Sequence, residues 1–236
     1  MSYLGYAKMM ADYCASVYSD KKEPVKILEI GVSVGQTALP LLSNLTTLGI
    51  EFLFVGVDVL EEDTFFTQIS FMEGVRPALV TDEGTISKYQ SPNYFYVIEN
   101  SLKYLPKLVQ DGTKFDCILL DGDHNYATVS AELGYFNDIT AHHAVCFADD
   151  YNGKHSGEDA FHVDNKEHQH IKHMFTDLKN DKNKQGVNTA INDFIQKNSE
   201  WGIYDPMPQF EPVILHKNMI VDKVDEVNHT LIPVRS

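Results

Sequence analysis

The sequence Val25-Lys26-Ile27-Leu28-Glu29-Ile30-Gly31-Val32-Ser33-Val34-Gly35-Gln36-Thr37 runs from a short apolar stretch into two glycines four residues apart, and a helical pattern follows over residues 36–48. An apolar run of this length closed by glycine reads as a buried strand. The glycines allow a sharp turn and a close approach of backbone to a ligand, and the next helix start offers free N–H groups to a carboxylate or phosphate. Pro40 is compatible with that helix because it falls in the first turn or so. The spacing departs from the dinucleotide G-x-G-x-x-G pattern, since Ser33 and Val34 occupy its next positions, which argues against a nicotinamide oxidoreductase. Glu29 is the odd residue: a carboxylate on a buried strand is costly unless it meets a polar partner.

The same alternation continues outward. Residues 3–19 carry Leu4, Met9, Met10, Tyr13 and Val17 at helical spacing, with a charged break at residues 20–24. Residues 51–59 (EFLFVGVDV), 94–98, 115–120 (FDCILL) and 144–148 are further apolar strands, and residues 101–109 and 128–139 are helices between them. Residues 187–197 return to an amphipathic helix, and residues 201–204 and 212–216 read as two closing strands, antiparallel at the sheet edge. Residues 61–91 hold helical pieces without clear bounds. Continuous apolar strands alternating with helices predict an α/β fold: a Rossmann-like, mostly parallel seven-stranded sheet with an antiparallel edge strand and helices on both faces.

The chain has 236 residues, with 34 acidic against 19 basic side chains and a formal charge of −15. That length suits one domain over residues 1–236, with residues 1–24 as its N-terminal helix. Residues 151–185, rich in histidine and containing His155, His162, His168, His170 and His173, read as a cover over the site or an insertion. Proteins that grip phosphate backbones need a basic surface, so nucleic acid and anionic membranes are poor partners, and small neutral or cationic substrates fit better. No apolar run approaches the ~20 residues that span a bilayer. Residues 1–20 mix Lys8, Asp12 and four tyrosines with small residues, unlike a signal peptide. Cys14, Cys117 and Cys146 are too few and too scattered for a disulfide framework. They read as buried or free thiols, with the cytoplasm as the expected location. A homo-oligomer is left open.

In open parallel sheets, ligands bind beyond the carboxyl ends of the strands, and the strand ends here are chemically unusual. Asp58 ends the second strand, where an acid can accept two hydrogen bonds from a ribose diol. Asn100 and Ser101 follow the third strand; Asn100 has both a donor and an acceptor, which suits an adenine edge, and a helix N-cap role is compatible with it. Asp121-Gly122-Asp123-His124 follows the fourth strand and Asp149-Asp150 the fifth. Four carboxylates and an imidazole at one edge repel and raise one another's pKa values unless a cation neutralises them. Hard oxygen ligands select Mg²⁺, Ca²⁺ or Mn²⁺.

These residues carry a resemblance. The chain resembles the class I S-adenosylmethionine (SAM)-dependent methyltransferases, and within them the branch of macrocin-type sugar O-methyltransferases and cephalosporin hydroxylase-like proteins. E-I-G-V-S-V-G-Q-T is similar to their SAM loop, V-G-V-D-V to their ribose-binding strand, F-D-C-I-L-L-D-G-D-H-N-Y to their fourth strand and catalytic turn, F-A-D-D-Y to their metal-binding pair, and G-V-N-T-A-I-N-D-F to their late helix. The likeness covers roughly residues 26–217. It implies that Gly31, Val32, Ser33, Gly35 and Thr37 line the methionine and ribose part of SAM, with Glu29 at its methionine end. Asp58 would hold the ribose hydroxyls, and Asn100 and Ser101 would face the adenine. Asp121, Asp149 and Asp150 would hold Mg²⁺ or another hard divalent cation, with Asp121 also touching the cofactor, and Asp123 or His124 would be the general base. Ser33 departs from the more glycine-rich loop of many SAM enzymes. The implied reaction is metal-assisted O-methylation of a small hydroxylated molecule, such as a sugar, with S-adenosylhomocysteine (SAH) as product. The rivals are a metal-independent N-methyltransferase, a metal-dependent glycosyltransferase using the D-x-D turn at Asp121 and Asp123, and a non-catalytic SAM-fold binding protein.

Overall fold

A computed structural model describes residues 3–18, 21–60, 78–80, 93–161, 164, 166–175, 178, 183–204, 212–218, 220–225 and 230–234. Residues 61–77 and 81–92, where the sequence offered helical pieces without bounds, lie outside the described residues, as does His162.

The strands are β1 (Val25–Ile30), β2 (Phe52–Asp58), β3 (Ala78–Val80), β4 (Tyr94–Ile98), β5 (Phe115–Leu120), β6 (Thr140–Ala148), β7 (Trp201–Tyr204) and β8 (Val213–Lys217). They form one sheet in the order β3-β4-β2-β1-β5-β6-β8-β7. All neighbours from β3 to β6 pair in parallel, whereas β8 is antiparallel to both β6 and β7. The Rossmann-like, mostly parallel sheet expected from the sequence is therefore present. The short strand β3 adds an eighth member at one edge, and the antiparallel strand lies one place in from the other. The chain winds from β1 outward through β2 and β4, then returns to β5 on the opposite side of β1. The order reverses between β1 and β5, and a crevice opens there at the carboxyl ends.

Every residue of β5 and all but one of β1 are buried, as expected for strands covered on both faces. On one face the helices Tyr3–Tyr18 and Ala38–Thr47 pack Met9, Met10, Tyr13, Leu41 and Leu45 against Ile27, Phe54 and Leu119. On the other, the helices Ser101–Gln110, Tyr126–Leu133, Phe136–Ile139 and Gly186–Lys197 cover Leu28, Val57, Ile118 and Cys146. Trp201 closes that layer edge-on against Phe194, and its indole N–H donates to Asn137 Oδ1 at 2.7 Å. The three cysteines are buried free thiols; Cys14 and Cys117 Sγ stand 3.2 Å apart, well beyond a disulfide bond. Among the described residues no helix is long and apolar enough to cross a membrane.

Two boundaries differ from the sequence reading. The helix expected over residues 128–139 is two, Tyr126–Leu133 and Phe136–Ile139, separated at Gly134-Tyr135. Strand β6 begins at Thr140 rather than Ala144, because its first turns of sequence, with His142 and His143 exposed, lack the apolar signature of its buried end. A hairpin of β9 (Ile220–Asp225) and β10 (Thr230–Val234), not read from the sequence, lies against the helix Tyr3–Tyr18.

Candidate functional site

A cavity of about 530 Å³ opens at the crevice. Among the residues singled out in the sequence, Gly31, Ser33, Asp58, Asn100, Ser101, Asp121 and Asp123 line it.

The glycine turn is shaped from both sides. Gly31 has φ +85°, and a Cβ there would stand 2.0 Å from the Asp121 carbonyl oxygen. The ends of β1 and β5 thus meet only because residue 31 has no side chain. Ser33, where the resemblance leads one to expect glycine, takes the same left-handed region at φ +47°. Asp58 stabilises it: Oδ2 accepts from the backbone N–H groups of Val32 (2.9 Å) and Ser33 (2.8 Å), and Oδ1 from Leu60 N–H (3.0 Å). A carboxylate has about four acceptor positions, so Asp58 holds the loop and retains capacity for a ribose. Val32 and Thr37 are buried at 3% and 2% exposure and stand behind the turn, outside the cavity wall. Val32 packs inward against Gly56, and Thr37 sits at the N-cap of the helix Ala38–Thr47. Gly35 also lies outside the wall; its N–H closes the turn onto the Val32 carbonyl at 2.8 Å.

Glu29 lies beneath that turn, 1% exposed, and its Oε2 has no hydrogen-bond partner among the described residues. Burial pushes its carboxyl well above the usual range, and the Asp58 charge adds to this. A buried acceptor left unmatched is costly, and a cationic ligand group nearby would relieve that cost.

At the β5 and β6 ends the acids do gather. Burial raises the Asp121 carboxyl well above the usual range, reinforced by the charge of Asp149, a hydrogen bond with Asp149, and the charges of Glu29 and Asp150. Asp150 adopts φ +56° and turns its Oδ2 to His124 Nδ1 at 3.0 Å, while His124 Nε2 lies 3.8 Å from Asp121 Oδ1. Among the described residues, no three of His, Cys, Asp and Glu stand as a ready-made metal shell. Asp121, Asp149 and Asp150 carry oxygen donors of the type that hard cations take, but of the three only Asp121 lines the cavity.

The two candidate bases are held differently. Asp123 Oδ2 accepts from Asn125 Nδ2 at 2.5 Å and Thr128 Oγ at 3.1 Å, while Asn125 Oδ1 caps the helix at Thr128 N–H (2.8 Å). Asp123 is thus built into a helix start. His124 is oriented by an acid, and its carbonyl accepts from Ala160 N–H at 2.9 Å. That contact brings residues 151–161 across the turn that holds Asp123 and His124, with the His155 ring 5.6 Å from the His124 ring. Asp159 Oδ1 fastens the crossing by accepting from Tyr126 and Gly186 N–H, both at 2.8 Å. Beyond it, Phe161, Asp164, His168, Lys172, Phe175 and Leu178 form a wall of the cavity. His170 and His173 of the 3₁₀ helix Lys166–Met174 are exposed and outside that wall.

Asn100 caps the helix Ser101–Gln110 by accepting Leu102 N–H at 2.9 Å, so the cap and the cleft position coincide. Sequence reasoning gave no role to two cavity acids. Glu99 is buried and paired with Lys107 at 2.8 Å. Glu132, 1% exposed, accepts the Ser101 hydroxyl at 2.5 Å. A lone acid beside Val129 and Leu133 in the run YATVSAEL was its signal.

Residues 28–151, more than half of the chain, match a protein family described as a methyltransferase domain. The chain belongs to this methyltransferase family. The expectation of a class I, SAM-dependent methyltransferase enzyme is met. No curated protein matches the sequence. Among solved structures, the methyltransferase is similar to the O-methyltransferase from Bacillus cereus in complex with SAH: TM-score 0.52 and 13% identity over 89% of this chain and 79% of that one. It is also similar to the O-methyltransferase TomG from Streptomyces achromogenes, which is involved in tomaymycin synthesis, in complex with SAM: TM-score 0.50 and 14% identity over 89% and 78%. At such identities the likeness is one of fold.

Proposed function

We propose that the methyltransferase transfers the methyl group of SAM to a hydroxyl of a small, uncharged or cationic molecule. The observation that carries this reading is a cavity walled by the Gly31 turn, Asp58 and Asp121, with the His124–Asp150 pair next to Asp121 but outside the wall. The Gly31 turn and Asp58, with the unmatched Glu29 carboxyl buried beneath the turn, suit the amino acid and ribose of SAM. Beside Asp121, His124 is oriented by Asp150.

The sulfonium methyl is already activated, so the protein supplies alignment and deprotonation. The acceptor oxygen attacks in line as the C–S bond breaks, and its proton passes to His124 Nε2. Asp150 accepts a hydrogen bond from Nδ1–H and so selects the tautomer whose Nε2 can take a proton, the arrangement known from acid-oriented histidine bases. Asp123, tied to Asn125 and Thr128, supports the turn. Asp121, Asp149 and Asp150 would hold a hard divalent cation such as Mg²⁺, which would neutralise their charge and lower the pKa of an acceptor hydroxyl. The acidic surface disfavours polyanionic acceptors.

The test is methyl transfer from SAM to a panel of hydroxylated metabolites and sugars, with Mg²⁺ or with a chelator. Turnover on hydroxyls supports the reading, and turnover only on amines overturns it. Activity indifferent to the chelator removes the metal.

A further inference from the structure

The cavity is polar where the strands end and aromatic where the histidine-rich segment passes. Among the described residues, every aromatic ring in its wall comes from that segment: Phe161, His168 and Phe175. The His168 and Phe175 rings are nearly parallel, with 23° between their planes and centroids 6.2 Å apart. Phe161 is held from both sides. Ala160 N–H donates to the His124 carbonyl at 2.9 Å, and the Phe161 carbonyl accepts Asp164 N–H at 3.1 Å. Phe161 therefore enters the wall beside the turn that carries His124. Phe161 and Phe175 are half-buried and belong to neither apolar layer of the described core. Ring surface left facing water is unfavourable, and a ligand ring laid on it removes that cost.

Resting on the methyl-transfer reading above, we propose that the acceptor hydroxyl is phenolic, with the acceptor's ring laid against Phe161 and its oxygen toward His124. Phe161 is then a specificity-determining residue. Aromatic pairs packed offset or edge-on gain more than the area they bury, whereas a saturated ring gains only the area. A sugar in the same place would also turn hydroxyls against Phe161, where they find no partner. Acidity points the same way. A phenolic hydroxyl titrates near ~10 and gives up its proton more readily than a sugar hydroxyl, so it asks less of a side-chain base. The O–CH₃ bond forms as the C–S bond of SAM breaks. The electron pair of that bond stays on sulfur, giving neutral SAH, and the phenolic proton passes to His124 Nε2.

The test uses the full chain with SAM and two acceptors of one skeleton, 4-methylphenol and 4-methylcyclohexanol, with methyl glucoside as the sugar. Wild type methylates the phenol with kcat/KM about 10²-fold or more above either alcohol. Phe161→Leu keeps apolar bulk but removes the ring; it raises KM for the phenol about two- to tenfold and leaves kcat within about threefold. Phe161→Ala raises that KM further, and Phe161→Tyr keeps it near wild type. SAH affinity, measured by calorimetry, stays near that of wild type in all of them. Three results overturn the proposal while SAH binding to wild type, and with it the SAM reading, stands. They are an alcohol methylated as well as the phenol, a phenol KM unchanged in Phe161→Leu, and a loss of SAH affinity in that variant as large as the rise in KM. The last gives the aromatic wall to the cofactor. If Phe161→Ala does not fold, Phe161→Leu decides the matter alone. A folded wild type that binds SAH but methylates no hydroxyl overturns the methyl-transfer reading and this proposal with it.

Discussion

Asp123 and His124 are neighbours in sequence with different tasks, and the difference is one of partners. Asp123 already accepts two side-chain hydrogen bonds at a helix start, whereas His124 Nδ1 faces Asp150 at 3.0 Å. Steady-state kinetics should therefore show kcat falling about 10²–10⁴-fold in His124→Ala, with SAH affinity nearly unchanged. Asp123→Asn should lose stability rather than chemistry, by about 1 kcal/mol in denaturant titration. Glu132 makes a separate prediction. Its carboxyl rises from an ordinary 4.5 to about 8 in the folded protein. Between those values the folded state binds the extra proton, so its contribution to stability is full below pH ~4.5 and is lost as pH rises through ~8, at up to about 1.4 kcal/mol per pH unit. Denaturant midpoints measured from pH 5 to 9 should fall less steeply in Glu132→Gln than in wild type. Both differences escaped the sequence for a physical reason. Spacing along the chain places Asp123 and His124 equally near the end of β5, and only the fold reveals what meets each side chain.

At the scale of elements, the crossing of residues 151–161 turns a histidine-rich stretch into part of the site. It is fastened by the His124–Ala160 bridge and by Asp159, and Gly186 lets the next helix begin against it. Gly186 has φ +79°, and a Cβ there would come within 2.2 Å of the Ser156 carbonyl oxygen. Gly186→Ala should therefore lower Tm and speed hydrogen exchange in residues 151–161, because the clash forces that segment away from the helix. The sequence showed a break in composition after Asp150 and five histidines, but no apolar period to say how the chain runs. A segment held by side-chain-to-backbone bonds leaves little trace in a hydrophobic pattern. The strands are the opposite case. FDCILL and VKILEI are buried along nearly their whole length, and so were legible at once. The broken helix at Gly134-Tyr135 and the exposed start of β6 were not, since neither changes that pattern sharply.

For the whole molecule, the order β4-β2-β1-β5-β6 sets the strand-end residues around one crevice; the alternation of apolar strands and helices foretold the mostly parallel sheet, though not its order. The Gly31 turn, Asp58, Asp121 and Asn100 were legible because each sits directly at a strand end. Glu132 and the wall residues Phe161, His168, Phe175 and Leu178 were not, because their place depends on helix packing and on the crossing segment; Glu99 follows β4 directly, but only the fold shows its pairing with Lys107. A ligand that binds this crevice in the folded state alone stabilises the whole sheet by mass action. SAH at about 100 times its Kd should add about 2.7 kcal/mol of stability, read as a rise in Tm by scanning calorimetry.

The most direct test of the account is isothermal titration of the full chain with SAH, in the presence of Mg²⁺. The account predicts saturable binding at one site per chain, abolished or strongly weakened when Asp58→Ala removes the acid that holds the Val32-Ser33 turn. A folded protein that shows no heat of binding with either SAH or SAM would contradict it.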